Sequence, residues 1–349
     1  MKIIHLIYAF PTGGKETMLV DIINEQVKYA DISLIIINDI YDKALLTKIS
    51  NKVSVHIIGR GVGSRNPFSI LNVNYILINK KCDVIHCHDH TLVGLILPFI
   101  KCKKVLTLHA MDMGTKYHYR YDKLFAISEA VQQHFKKFSF DSKVLYNGIK
   151  VDDILFKSNN KSTKFWIVQV GRLDHEAKGQ HILLNALNVL INRHSIRNIH
   201  LDFIGEGLSL HYLMSIVEEL NLNDYVSFLG LRNREYIYTH LSDYNLLVQP
   251  SLFEGFGLTV VEALAAGIEV LVSDVDGPLE IIEKTGYGNI FKSGNAEDCA
   301  SKIFEIYSNA DDSVSQPRHK LQRLACKYYF DIEITAKNYL DEYRNTLAS

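Results

Sequence analysis

The stretch Pro250 to Gly267, "PSLFEGFGLTVVEALAAG", decides how this chain is read. It follows "NLLVQ", a short apolar run with the character of a buried strand. A turn holding Gly255 and Gly257 comes next, then an apolar helix that ends at Gly267. Strand, glycine turn and helix in that order aim backbone N–H groups and the positive helix end at an anion such as a phosphate. Glu254 lies in the turn itself. Glu262 lies about one turn into the helix, which has no other charge to mark a wet face. A buried carboxylate needs hydrogen-bond partners or its desolvation costs several kcal/mol. The two hydroxyls of a ribose would serve, and so would a lysine or backbone amides.

Outward from this stretch the same alternation continues. Short β-branched runs, "KIIHLIYA", "DISLIIIN", "VSVHII", "DVIHC", "KVLTLH", "KLFAIS" and "KVLYN", read as buried strands. Amphipathic segments such as Glu16–Tyr29 and Pro67–Lys81 lie between them. A polar stretch at 157–164 reads as a linker. Alternation restarts with "FWIVQVG", "IHLDFIG", "YVSFLG", "YNLLVQP", "EVLVSD" and "GNIFKS", and the chain ends in helical pattern, with an interruption expected near Pro317. Apolar strands joined by helices form parallel sheets covered on both faces. The expectation is an α/β protein of two Rossmann-like domains, 1–156 and 165–329, facing a cleft where strands end and helices begin.

The composition fits a folded globular protein: 349 residues, 47% hydrophobic and 22% charged. The net charge of −1 hides an asymmetry. Residues 1–150 carry 20 Lys and Arg against 12 Asp and Glu, whereas residues 151–349 carry 18 against 27. A basic half suits an anionic membrane face or an anionic lipid-linked substrate. Five irregularly spaced cysteines without a CxxC pair imply neither a disulfide framework nor a zinc ribbon. No run approaches the ~20 apolar residues that span a bilayer, and the start of the chain lacks a secretory pattern. A cytoplasmic protein is expected, with nucleic acid excluded as a partner.

The opening stretch resembles the E-x7-E motif of glycosyltransferase family 4, retaining enzymes of the GT-B fold. "VGRLDHEAKGQHILLNAL", "FIGEGLSLHYL" and "YVSFLGL" resemble further segments of that family, as do "GGKETM", "VIHCHDH", "LTLHAMD", "AISEAV" and "VLYNGI" in the first half. The resemblance covers about residues 1–295. It implies a hexosyltransferase acting on a nucleotide-sugar, with UDP the favoured nucleotide, and on a sugar or lipid-linked acceptor in cell-surface polysaccharide synthesis. It implies no metal and no cofactor, and a C-terminal helix (330–349) that returns to the first domain. Arg172 and Lys178 would bind the diphosphate, two cations placed to neutralise charge on a leaving group. Glu262 would hold the ribose and Glu254 the transferred sugar, with Gly255, Phe256, Gly257 and Leu258 presenting main-chain groups nearby. From the first domain, Gly13 and Gly14 would approach the diphosphate and His109 the donor sugar. Asn147 and Gly148 match a turn near the interdomain hinge. Arg172, Lys178, Glu254 and His109 are thus the expected catalytic set.

Three other patterns compete. "HCHDH" would bring His86, His88 and His90 to one face of a strand, as a metal site needs, but the family carries a similar His-x-His without one. "GGKET" lacks the first glycine and the Ser/Thr of a P-loop, and "GRGVGS" and "GEGLSL" are incomplete dinucleotide patterns, the first opening a loop that would face the acceptor. Glu269 stands where the family usually has proline, which would leave that strand start looser. A nucleotide-sugar epimerase and a catalytically silent sugar-binding subunit are the rival readings.

Overall fold

A computed structural model describes residues 1–64, 66–157, 164–309 and 312–349, without the side chains of 312–316. Most of the expected linker, 158–163, lies outside the described residues. The chain forms two compact units, Met1–Ile149 with Phe330–Ser349, and Lys150–Tyr329. The division falls earlier than residue 156 because residues 150–157 are bonded into the second unit. The Leu155 N–H donates to the Tyr238 carbonyl at 2.9 Å, and the Lys157 N–H to that of Ala266 at 2.8 Å. Arg323 donates to the carbonyls of Val151 and Ile154 at 2.7 and 3.0 Å.

In the first unit seven strands pair in the order β3-β2-β1-β4-β5-β6-β7. They are β1 (Lys2–Ile7), β2 (Asp31–Asn38), β3 (Ser54–Arg60), β4 (Val84–Cys87), β5 (Lys103–Leu108), β6 (Lys123–Ala126) and β7 (Lys143–Val144). Every pairing is parallel. Strands β1, β2 and β4 are apolar almost throughout because helices cover both faces. The terminal helix Ile332–Ala348 packs on helix Gly14–Gln26. Ile332, Tyr339, Leu340 and Tyr343 join the core beside Ile3, Ile7 and Phe125. Gly148 makes this docking close: a Cβ there would meet Thr335 Oγ1 at 2.4 Å.

The second unit repeats the plan with six strands in the order β10-β9-β8-β11-β12-β13. They are β8 (Phe165–Val170), β9 (Ile199–Ile204), β10 (Val226–Phe228), β11 (Leu246–Gln249), β12 (Glu269–Ser273) and β13 (Asn289–Phe291). All pair in parallel. In both sheets the chain reverses direction next to the first strand, between β1 and β4 and between β8 and β11. Loops diverge there and leave room for a ligand.

Two expectations are corrected. Pro317 itself lies inside helix Asp312–Phe330; the helical pattern breaks a few residues before it, where helix Ala296–Ser308 ends at Asn309, and again at Asp331, which caps the next helix by accepting from Glu333 N–H. The start of β12 is not loose. Glu269 is held by His319 Nε2 at 3.1 Å and Arg318 at 3.3 Å, so a charged pairing does what proline's rigid ring would do. Those bonds outweigh burial, which pushes the other way, and keep the Glu269 carboxyl below the usual glutamate range.

Candidate active site

The second unit gathers its expected residues where β8 and β11 end. Arg172 and Lys178 come from the segment after β8, Glu254 from the turn after β11. Asp174 caps the short helix His175–Lys178, and Gln180 donates to the Arg172 carbonyl at 2.9 Å. Gly179 then lets the chain pass against β11: its φ is +66°, and a Cβ would lie 1.9 Å from the Pro250 carbonyl. The Ala177 carbonyl in turn accepts the N–H groups of Leu252 and Phe253 at 2.8 and 3.1 Å. These contacts bring Lys178 Nζ to 2.5 Å from Glu254 Oε2.

Gln249, at the end of β11 and buried, fixes the carboxylate from the other side, donating to Glu254 Oε2 at 3.1 Å and to Ser251 Oγ at 2.9 Å. Thr259 Oγ1 donates to Gln249 Oε1 at 3.4 Å, which orients the amide. Glu254 therefore presents its oxygens with one cation and one amide already in place. Arg172 is different: its guanidinium is exposed and bonds Asp174 at 2.8 Å, so it can swing to an arriving anion.

Helix Leu258–Ala266 starts at Gly257, and no side chain caps it. An uncapped, positive helix end can hold phosphate oxygens, and the turn before it carries Glu254, the partner of Lys178. Glu262 on this helix is buried, 8% exposed. Phe256 is buried too, so its side chain belongs to the core and only its main chain is available to a ligand. Gly277, on helix Asp276–Thr285, packs against the turn; a Cβ would meet Glu254 O at 2.6 Å and Phe256 N at 2.7 Å.

In the first unit the ends of β1, β4 and β5 carry a buried histidine chain. His5 Nε2 bonds Gln26 Oε1 at 2.8 Å, and His5 Nδ1 lies 3.0 Å from His88 Nε2. His88 Nδ1 lies 3.1 Å from His109 Nε2. Burial pushes His5 down to about 4 and His109 down to about 3, and His88 well below its usual range, so the chain is neutral at pH 7. Neutrality fixes the protons. Gln26 Oε1 accepts, so His5 Nε2 carries hydrogen and its bare Nδ1 accepts from His88 Nε2. The bare His88 Nδ1 then accepts from His109 Nε2, which leaves the lone pair of His109 on Nδ1.

The expected convergence of His86, His88 and His90 does not form. His90 lies beyond the end of β4, edge-on to the His118 ring. His5, in register with His86 on β1, takes its place. Ring nitrogens of His5, His86 and His88 come within 4.8 Å of one another, close enough for a metal ion. Yet His86 is bonded to Tyr343 at 2.6 Å and Thr107 at 2.7 Å, and His5 and His88 are bonded to each other, so these nitrogens already have partners.

Helix Gly14–Gln26 starts at Gly13, in extended conformation and without a side-chain cap. Lys15 Nζ reaches Asp89 Oδ1 at 3.3 Å and Glu16 at 3.5 Å. Sequence reading singled out none of Lys15, Asp89, Gln249 or His5 for a role. A signal existed for Gln249 and His5, each a polar residue within an otherwise apolar strand.

Two parallel-sheet units of this topology, each with a glycine-started helix after a strand at its reversal point, define the GT-B class of glycosyltransferase fold. The profile described as "Glycosyl transferases group 1" matches residues 150–325, and that of "Glycosyltransferase Family 4" matches residues 12–153. The chain belongs to glycosyltransferase family 4. It is 29% identical over 244 residues to a glycosyltransferase of Methanocaldococcus jannaschii, a match that takes in 60% of this chain and 62% of that one. It is 25% identical over 302 residues to the lipopolysaccharide 1,6-galactosyltransferase of Escherichia coli, covering 81% of this chain and 82% of that one. Among solved structures, Anabaena HepE in complex with UDP and glucose superposes with a TM-score of 0.79 at 21% identity, over 98% of this chain and 99% of that one.

Proposed function

We propose that this protein is a retaining, metal-independent hexosyltransferase that takes its sugar from a nucleoside diphosphate, UDP foremost. The acceptor is a carbohydrate or a lipid-linked carbohydrate of a cell-surface polysaccharide, met at an anionic membrane face. One observation carries the reading: Lys178 and Glu254 are paired at 2.5 Å beside the uncapped helix that bears buried Glu262. The pair offers a cation to a departing diphosphate and a carboxylate to sugar hydroxyls. A similar protein solved with UDP and glucose favours UDP.

In the proposed step the acceptor oxygen bonds the anomeric carbon on the face from which the diphosphate leaves, as the bond from carbon to phosphate oxygen breaks. The acceptor's proton passes to that oxygen. Lys178, Arg172 and the helix start at Gly257 stabilise the charge of the leaving group. Within the second unit, Glu254 positions the sugar and Glu262 the ribose.

The test is thermal unfolding in EDTA with UDP, GDP, ADP or NAD, followed by NMR of the product's anomeric configuration. A nucleotide at 100 times its dissociation constant adds about 2.7 kcal/mol of stability. A shift with UDP in EDTA and a retained configuration are expected. Conversion of the sugar without any acceptor would indicate an epimerase, no shift with any nucleotide a silent subunit, and a shift with NAD alone a different reaction.

A further inference from the structure

Helix Pro67–Lys80 covers one face of the first sheet with Val73, Asn74 and Leu77. Its opposite side shows Phe68, Leu71, Tyr75 and Ile78, which are 74%, 54%, 65% and 50% exposed. Steps of three and four residues place these four on one stripe. A surface helix ordinarily puts charge there, but this one has no charged residue before Lys80. Asn74 extends the stripe sideways, donating to the Leu95 carbonyl at 2.8 Å and accepting from the Leu97 N–H at 2.9 Å. That bond pair holds the segment ending in exposed Phe99 alongside.

Cations flank both ends of the stripe. From Arg60 to Cys82 the chain holds four Lys and Arg and no Asp or Glu. Arg60 precedes the helix, Lys80 and Lys81 end it, and Lys101 follows Phe99. Of the acidic groups nearby, Asp39 lies beside Arg60, its N–H donating to the Arg60 carbonyl at 3.2 Å, whereas Asp83 accepts from the Lys2 N–H at 2.7 Å and Asp122 from the Lys104 N–H at 2.7 Å. The end of the terminal helix comes near, Leu347 lining a hollow with Pro98, Ile100 and Lys101. That helix packs on Gly14–Gln26, and right-handed crossovers running in opposite directions put Gly14–Gln26 and Pro67–Lys80 on opposite faces of the sheet. An apolar stripe rimmed by cations matches an anionic lipid surface, whose acyl region takes the rings and whose headgroups meet the lysines.

We propose that the face formed by Phe68, Leu71, Tyr75, Ile78 and Phe99, with its Lys and Arg rim, is the surface by which this protein docks on an anionic phospholipid membrane. The inference rests on the membrane-facing part of the function proposed above and is independent of the donor.

The full chain is tested by co-sedimentation with vesicles of phosphatidylcholine containing about a third phosphatidylglycerol, and with pure phosphatidylcholine, at low and high salt. Binding to the anionic vesicles alone, weakened by salt, is expected. A variant carrying Phe68→Ser, Leu71→Ser, Tyr75→Ser and Ile78→Ser should partition more than about 100-fold less, and Lys80→Glu with Lys81→Glu about tenfold less. The thermal shift with UDP should stay as in the parent, which separates loss of docking from loss of donor binding. In a Trp166→Phe background, Phe68→Trp should be quenched by brominated acyl chains, an independent check should the serine variant misfold. Equal binding to both vesicles, undiminished binding by the variants, or a dimer in solution that the serine variant splits would overturn the proposal.

Discussion

Lys178 Nζ and Glu254 Oε2 stand 2.5 Å apart although 76 residues separate them in the chain. Each is part-buried, 20% and 16% exposed, and neither helix nor strand holds Glu254. What holds the pair is the passage of Gly179 under Pro250. In the proposed reaction the pair is replaced, or shared, by the donor.

Lys178→Ala should lower kcat by about 100- to 1,000-fold, the usual cost of losing one group that stabilises a leaving charge. Glu254→Gln keeps the shape of the side chain and loses the ion pair, and its effect should fall on kcat more than on KM. Steady-state kinetics with a UDP-sugar checks both. Wild-type turnover in Lys178→Ala would remove that residue from the mechanism.

Gly179→Ala should destabilise the second unit well beyond the ~1 kcal/mol that a positive φ alone costs a side chain. The added Cβ would sit 1.9 Å from a carbonyl oxygen, which forces the two segments apart. Gly286 is the control. Its φ is +74° and nothing lies within 4 Å, so Gly286→Ala should show the backbone cost alone. Urea midpoints of the two variants decide, and equal losses would contradict the close approach.

The histidine chain should make the first unit acid-sensitive. Burial lowers His5 to about 4 and His109 to about 3, against an ordinary value of 6.5. The unfolded chain takes up protons below 6.5 while the folded one does not. Stability is thus complete above 6.5 and falls as pH drops towards the folded values. Urea midpoints across that window test the slope, and imidazole 15N spectra should show His109 carrying its proton on Nε2. His88→Ala should release that proton to either nitrogen, and an unchanged spectrum would break the chain as drawn.

Glu269 should add a second acid limb. Its carboxyl titrates below the ordinary 4.5, so its contribution is present above 4.5 and is lost as pH falls through the lower, folded value. Glu269→Gln should flatten that part of the stability curve and loosen the bonds to His319 and Arg318. A curve of unchanged shape would show that the pairing does not hold β12 to the helix Asp312–Phe330.

The strand runs determined both sheets, because parallel strands buried on two faces must be apolar throughout and so announce themselves. Gly267 marked the helix end it makes, with φ +76°, and Glu262 was legible as a buried charge because its helix offers no wet face. Spatial company was not legible. His86, His88 and His90 alternate in sequence, but β4 stops at Cys87, so His90 leaves the face and His5 arrives from the paired strand β1. Gln249 came to Glu254, and Glu269 met His319, through packing between segments far apart in the chain. Sequence spacing governs which side of an element a residue takes; only the register of strands and the docking of helices decides what it meets there.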